Sequence, residues 1–151
     1  MRYFEDFAAG DVHDLGSVTV TAEEIIEFGE RYDPQPFHTD PAAAADSAFG
    51  GLVASGWLTA SLFMRAYVDG LLRDSACAGS PGVDEIRYRR PVCPGDTLGA
   101  RLTVLRTGPV LGHKDRGLVQ PRCELLDDAG QQVFSMTLHS LFLRRPAATG
   151  S

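Results

Sequence analysis

Apolar side chains along this sequence follow two different periods. In the first half, Ile25, Phe28, Gly29 and Tyr32 recur at intervals that predict a helix from Ala22 to Tyr32. Thr21 and Glu24 supply a capping box at its start, and a short strand around Val12 to Val20 precedes it. The helix must end at Tyr32, because Pro34 and Pro36 lack amide donors and push the residues before them out of the helical region. From Asp33 to Gly56 the chain is expected to be largely loop, with one helical turn at Pro41 to Asp46, where proline is tolerated at the first helical position. Residues Trp57 to Arg73 read as a second helix. Its charges, Arg65, Asp69 and Arg73, lie four residues apart on one narrow stripe, so protein is expected to surround nearly every other side.

The second half changes to a period of two. Ile86 and Tyr88 alternate with Glu85, Arg87 and Arg89, and Leu98, Ala100, Leu102 and Val104 alternate with Gly99, Arg101 and Thr103, which predicts half-buried strands. Pro94-Gly95-Asp96 turns the chain between them, and strands Val119 to Leu126 and Val133 to Leu143 flank a second turn at Asp127-Asp128-Ala129-Gly130. Strands joined by short turns are antiparallel. The expected class is therefore α+β, an antiparallel sheet curling around one long central helix. With no repeat or linker, residues 1–146 read as one domain and residues 147–151 as a loose C-terminal tail.

Composition narrows the function. A length of 151 residues suits one globular domain, and a formal charge of −6 lacks the positive field that binding to a phosphate backbone relies on, so nucleic acid is not an expected partner. Cys77, Cys93 and Cys123 are odd in number and share no CxxC spacing, which fits a reducing compartment, and the first residues carry no secretory leader pattern; the expected location is the cytoplasm. Ser47 to Met64 is uncharged, but its serines and glycines keep it short of the about 20 apolar residues a span requires. No membrane association is expected.

The segment Tyr32-Asp33-Pro34-Gln35-Pro36-Phe37-His38-Thr39-Asp40-Pro41 places a carboxylate and an imidazole five residues apart on a stretch stiffened by prolines. Asp33 and His38 are the candidate acid/base pair, since imidazole titrates near neutrality and a nearby carboxylate orients it. The alternative is structural: Asp before Pro initiates turns, and a loop histidine often satisfies a backbone group. Asp33, His38 and Asp40 include metal-ligand types, but no second ligand cluster accompanies them, and no metal is expected. Gly56, entering the long helix, is the second candidate, where unpaired amides and the positive end of the helix dipole meet a developing oxyanion; a glycine needed only for a crowded turn is the alternative. His13, His113 and His139 have no partner at a meaningful spacing and read as structural.

With these residues in place, the chain resembles the MaoC-like acyl dehydratases, also called the R-specific enoyl-CoA hydratase family, of the hotdog fold. The resemblance spans almost the whole chain. It rests on Asp33, Pro36, His38 and Asp40 standing for the D-x-N-P-x-H-x-D motif, on Phe49 to Gly56 leading into the central helix, and on the run from Ser80 through Pro94-Gly95-Asp96 to Leu98. Two positions depart from the pattern: Gln35, preceded by Pro34, replaces the usual Asn, and Met64 stands where some hydratases have a serine. The resemblance implies addition or removal of water across the 2,3 bond of an acyl-CoA thioester, with Asp33 and His38 as the dyad and the Gly56 amide holding the thioester oxygen. It implies no cofactor beyond the coenzyme A of the substrate, and a homodimer or a dimer of dimers. Phe37, Ser55, Trp57 and Met64 are the expected substrate contacts. Arg87 and Arg89 are candidates for the phosphates of coenzyme A, although alternation also puts both on a solvated sheet face. A hotdog thioesterase and a noncatalytic acyl-CoA-binding module are the competing readings.

Overall fold

The computed structural model, which describes residues 1–150, caps its first long helix as the sequence predicts: the Thr21 hydroxyl accepts the Glu24 N–H at 3.1 Å. In chain order the elements are β1 (Val12–Thr19), α1 (Ala22–Tyr32), α2 (Pro36–Thr39), α3 (Pro41–Ala45), α4 (Gly56–Gly70), β2 (Gly82–Tyr88), β3 (Thr97–Val110), β4 (His113–Leu126) and β5 (Gln132–Leu143). The strands form one antiparallel sheet in the order β1-β3-β4-β5-β2. Alternate residues of β3, β4 and β5, among them Leu98, Leu102, Val104, Leu125, Phe134 and Phe142, are buried and form one cluster with Phe63, Ala66 and Tyr67 of α4. Inside it the Tyr67 hydroxyl is satisfied by Ser140 Oγ at 3.1 Å. A sheet wrapped over a central helix is the expected hotdog arrangement, in the α+β class.

Four expectations change. The stretch after Asp33 is largely loop but holds one helical turn more than expected, because Pro36 starts the short helix α2 before Asp40 caps α3 through the Ala42 and Ala43 amides. Strands β3 and β4 run past the core as a long hairpin whose tip residue, Leu111, is 99% exposed; both faces of that arm are solvated, so no alternation marks it. Strand β2 lies at the sheet edge and is mostly exposed rather than half-buried. Helix α4 is not wrapped on every side, since one sheet covers only one side of a helix: Trp57, Ser61, Met64 and Arg65 face outward. Residues 147–150 are irregular and exposed, and Ser151, the last residue of the expected tail, lies outside the described residues.

Strand β2 carries a bulge. Asp84 pairs with Thr137 and Arg87 with Ser135, so two residues, Glu85 and Ile86, oppose Met136 alone. Glu85 adopts φ 54°, a left-handed conformation that costs a residue with a Cβ roughly 1–2 kcal/mol. The bulge changes the phase of the strand. Val83 and Tyr88 are five residues apart, yet they sit opposite Leu138 and Phe134, which both belong to the core side of the sheet.

Helix α2 packs directly on α1 at Gly29. A Cβ there would lie 2.9 Å from the His38 carbonyl oxygen and 3.0 Å from His38 Cβ. Exchanging a helical glycine for alanine gains about 1 kcal/mol of helix propensity, whereas overpacking a tight contact costs about 1–3 kcal/mol. The contact is with backbone that α2 cannot move without displacing His38. Gly29→Ala is therefore expected to lower the urea midpoint despite the better propensity; an unchanged or raised midpoint would show that α2 yields freely.

Candidate active site

Asp33 occupies the end of α1, where its N–H still donates to the Gly29 carbonyl at 2.8 Å and Pro34 prevents another turn. The chain reverses through Gln35 into α2, and one turn later His38 is presented back toward Asp33. Their side chains meet with His38 Nε2 3.3 Å from Asp33 Oδ2. His38 is 6% exposed. Its Nδ1 lies 2.6 Å from the Val53 carbonyl oxygen, and because a carbonyl only accepts, Nδ1 carries the proton. Whenever the ring is neutral, Nε2 therefore presents a lone pair.

Both oxygens of Asp33 are engaged by neutral donors. Gln35 Nε2 donates to Oδ1 at 2.7 Å and Ser55 Oγ donates to Oδ2 at 2.7 Å. These two bonds, Gln35 first, hold the Asp33 carboxyl below the ordinary carboxylate value, and His38 adds to the effect when its ring is charged. The carboxylate is thus ionised beside an imidazole whose Nε2 is an acceptor. Two acceptors facing each other suit a water that lies off the line between them and donates one O–H to each.

Ser55 also caps α4: its Oγ accepts the Trp57 N–H at 3.3 Å. Gly56 is the first residue of that helix, with an amide that lies ahead of the helix's own hydrogen-bond ladder. Asp33, His38 and Gly56 line one cavity of about 620 Å³, closed on its apolar side by Phe37, Phe49, Trp57, Ile86 and Tyr88. The Phe37 ring meets the imidazole edge-on at 4.6 Å and the Phe49 ring at 5.1 Å, which screens one side of the histidine from water.

The other expected site residues divide. Phe37 and Trp57 line the cavity and Arg89 stands at its rim, held by Gln132 at 3.2 Å. Ser55 lies behind Asp33 and outside the lining, so it positions the carboxylate instead of touching a substrate. Met64 is not in the cavity. It lies two turns on from Gly56, but at the helical angle of 100° per residue the face it shares with Trp57 and Ser61 points outward, and it is 39% exposed. Arg87 also lies elsewhere: strand alternation turns it to the outer face of the sheet, beside Glu85, Arg122 and Glu124. Among the described residues no group of three or more His, Cys, Asp or Glu gathers as a metal site requires. Gln35, Phe49 and Tyr88 were not singled out by sequence as site residues; only the position of Gln35, in a motif slot normally held by another amide, pointed toward a role.

Comparison with known proteins fits this geometry. Residues 7–116 match the MaoC like domain. A crystal structure of a MaoC-like dehydratase from Rhodospirillum rubrum superimposes with a TM-score of 0.87 at 38% identity, covering 97% of this chain and 99% of that one. An (R)-hydratase from A. caviae involved in PHA biosynthesis gives a TM-score of 0.68 at 25% identity over 92% of this chain and 98% of that one. The 3-hydroxyacyl-thioester dehydratase Z of Mycobacterium tuberculosis is 31% identical over 125 residues, 78% of this chain and 79% of its own length. The match over most of the chain, on the same sheet and helix, establishes that this protein belongs to the MaoC-like dehydratase family.

Proposed function

We propose that this protein is a hydro-lyase that adds water to, or removes it from, the 2,3 bond of an enoyl-CoA, with Asp33 and His38 as its acid/base dyad. The observation that carries this reading is the pair of facing acceptors, His38 Nε2 and Asp33 Oδ2 at 3.3 Å, inside a cavity that also exposes the start of α4. In the hydration direction His38 Nε2 takes a proton from the bound water as its oxygen bonds to C3. The π electrons shift toward the thioester, and the oxygen charge that grows there is met by the Gly56 N–H and the helix dipole. The imidazolium formed is stabilised by ionised Asp33. The proton is then delivered to C2, which restores the dyad, so the elements of one water are added and nothing is oxidised or reduced. In this reading no cofactor is needed beyond the coenzyme A of the substrate, and Arg89 at the cavity rim is the residue we assign to its phosphates. The similarity to a 3-hydroxyacyl-thioester dehydratase and an (R)-hydratase supports this reaction class.

The reading also includes a homodimer as the working unit. Trp57 and Met64 on α4 and Val83 and Tyr88 on the edge strand β2 leave an apolar surface beside the cavity, and β2 has an open hydrogen-bonding edge. No helix among the described residues is long and apolar enough to cross a membrane. Light scattering is expected to return twice the chain mass; a monomer at micromolar concentration contradicts the dimer.

Asp33→Asn and His38→Ala are each expected to lower kcat/KM for trans-2-enoyl-CoA hydration by at least about 10²-fold, followed by loss of enone absorbance, while the circular dichroism spectrum is kept. Near wild-type turnover by either folded variant removes the dyad. Release of free coenzyme A with the enone intact would mark a thioesterase, and saturable binding without any conversion a noncatalytic module.

The charge on Asp33 gives a separate test. Because its carboxyl is held low by donors to the charged form, removing one donor must raise the titration toward the ordinary value. Ser55→Ala is expected to move the Asp33 transition upward in a ¹³C-carboxyl NMR titration. The linked stability follows the same sign: it is fully present above the unfolded carboxyl value of about 3.9 and is lost as pH falls from there through the lowered folded value. An Asp33 transition that stays put in the variant contradicts the Ser55 bond.

A further inference from the structure

Tyr88 is a polar side chain of the cavity that the dyad mechanism leaves unused. The Tyr88 ring lies directly over Gly56: a Cβ on that glycine would fall 2.5 Å from Tyr88 Cζ and 2.8 Å from its hydroxyl oxygen. Both residues line the cavity that holds Asp33 and His38. The ring is fixed from behind by Phe134, with centroids 5.7 Å apart, so the hydroxyl cannot swing far while that contact persists. Among the described residues the hydroxyl has no hydrogen-bond partner of its own.

Its position is a product of the β2 bulge. Without the extra residue at Glu85 and Ile86, strand alternation would give Val83 and Tyr88 opposite faces, and the tyrosine would stand on the outer side with Arg87 turned to the core side in its place. With it, Tyr88 pairs with buried Phe134 and turns toward the start of α4. The chain sustains a left-handed glutamate at φ 54° to make this turn. A wall for an acyl chain requires only the ring; the hydroxyl adds a polar group beside Gly56, the residue whose amide opens α4.

We propose that Tyr88 Oη–H is a second hydrogen-bond donor to the thioester oxygen, acting with the Gly56 amide as a two-donor oxyanion site. This rests on the hydratase reading for the identity of the reacting oxygen, and on the contact with Gly56 for the placement of the donor. Burial moves the phenol above its ordinary value, so it carries its proton throughout the neutral range. The hydroxyl donates without transferring that proton: as water adds at C3, charge accumulates on the thioester oxygen, and when C2 is protonated the charge returns to the carbon framework. Two donors on one oxygen suit this cycle, because each strengthens as the charge grows and neither must be reprotonated.

Tyr88→Phe removes the hydroxyl and keeps the ring that packs on Gly56 and Phe134. The expected result is a fall of about 10²-fold in kcat/KM for crotonyl-CoA, carried mostly by kcat, with an unchanged thermal midpoint. A second readout does not depend on turnover. With saturated butyryl-CoA labelled ¹³C at the carbonyl, the bound C=O stretch in the wild-type protein should lie below its solution frequency, and part of that shift should disappear in Tyr88→Phe. A variant with wild-type kinetics and the wild-type carbonyl stretch overturns the proposal and leaves Tyr88 as a cavity wall. If the wild-type protein leaves crotonyl-CoA unhydrated, the hydratase reading fails by itself, and the difference in carbonyl stretch still decides whether Tyr88 touches the thioester oxygen.

Discussion

Val53 is bound to the turn that carries the histidine through both of its backbone groups. Its N–H donates to the Phe37 carbonyl at 3.0 Å, and its carbonyl accepts from His38 Nδ1 at 2.6 Å. Making such a bond gains only about 0.5–1.5 kcal/mol, but leaving a buried partner unmatched costs about 1–3 kcal/mol, so His38 is fixed chiefly by the penalty for any other arrangement. The bond also selects the tautomer, which decides that Nε2 is the atom available to chemistry. Ser55 and Gly56 follow Val53 by two and three residues. One short segment therefore sets the distance from the histidine to the carboxylate's donor and to the start of α4.

The way Asp33 is stabilised matters as much as its position. A carboxylate paired with an arginine would be ionised but nearly neutralised, with little field left for a neighbour. Here the donors are an amide and a hydroxyl, which favour the ionised form and leave its full negative charge directed at His38. Arg90, which lines the same cavity, is instead engaged by Asp96 at 3.0 Å and Asp127 at 3.9 Å. Ser55 joins the two ends of the site, because one hydroxyl donates to Asp33 and accepts from the first turn of α4.

Much of this is legible in the sequence. Thr21, the prolines after Asp33 and the turns at Gly95 and Gly130 act within a few residues, and such signals place α1, the dyad segment and the strand boundaries. The glycine entering a long apolar helix was equally plain. What sequence could not supply were relations across the fold. Met64 was expected in the cavity from its distance along α4, but the face a helix turns to a pocket depends on where the sheet stops, and this sheet leaves the Met64 side open. Apolar residues on that side read as core for the same reason, since the pattern does not distinguish burial within a chain from a surface left for a partner. Helix α2 escaped notice because four residues are too few for any period to register.

Strand β2 carries the most consequential of these hidden relations. Alternation assigned Ile86 and Tyr88 to one face and Arg87 to the other, and that local assignment is right; the phase relative to Val83 is set by a bulge that has no sequence mark beyond an ordinary glutamate. A strained residue persists only where surrounding contacts hold it there. Those contacts are the Val83 and Tyr88 pairings on either side, both with residues packed on the core side of β5, so that relaxing Glu85 would require one apolar side chain to leave its place. The sheet register thereby reaches the cavity: the pairing that positions Tyr88 against Gly56 is the same pairing that keeps the strain in place. Gly56 completes the relation from the helix side. Any Cβ there would force the tyrosine away, so the absence of a side chain on α4 and the extra residue in β2 make sense only together.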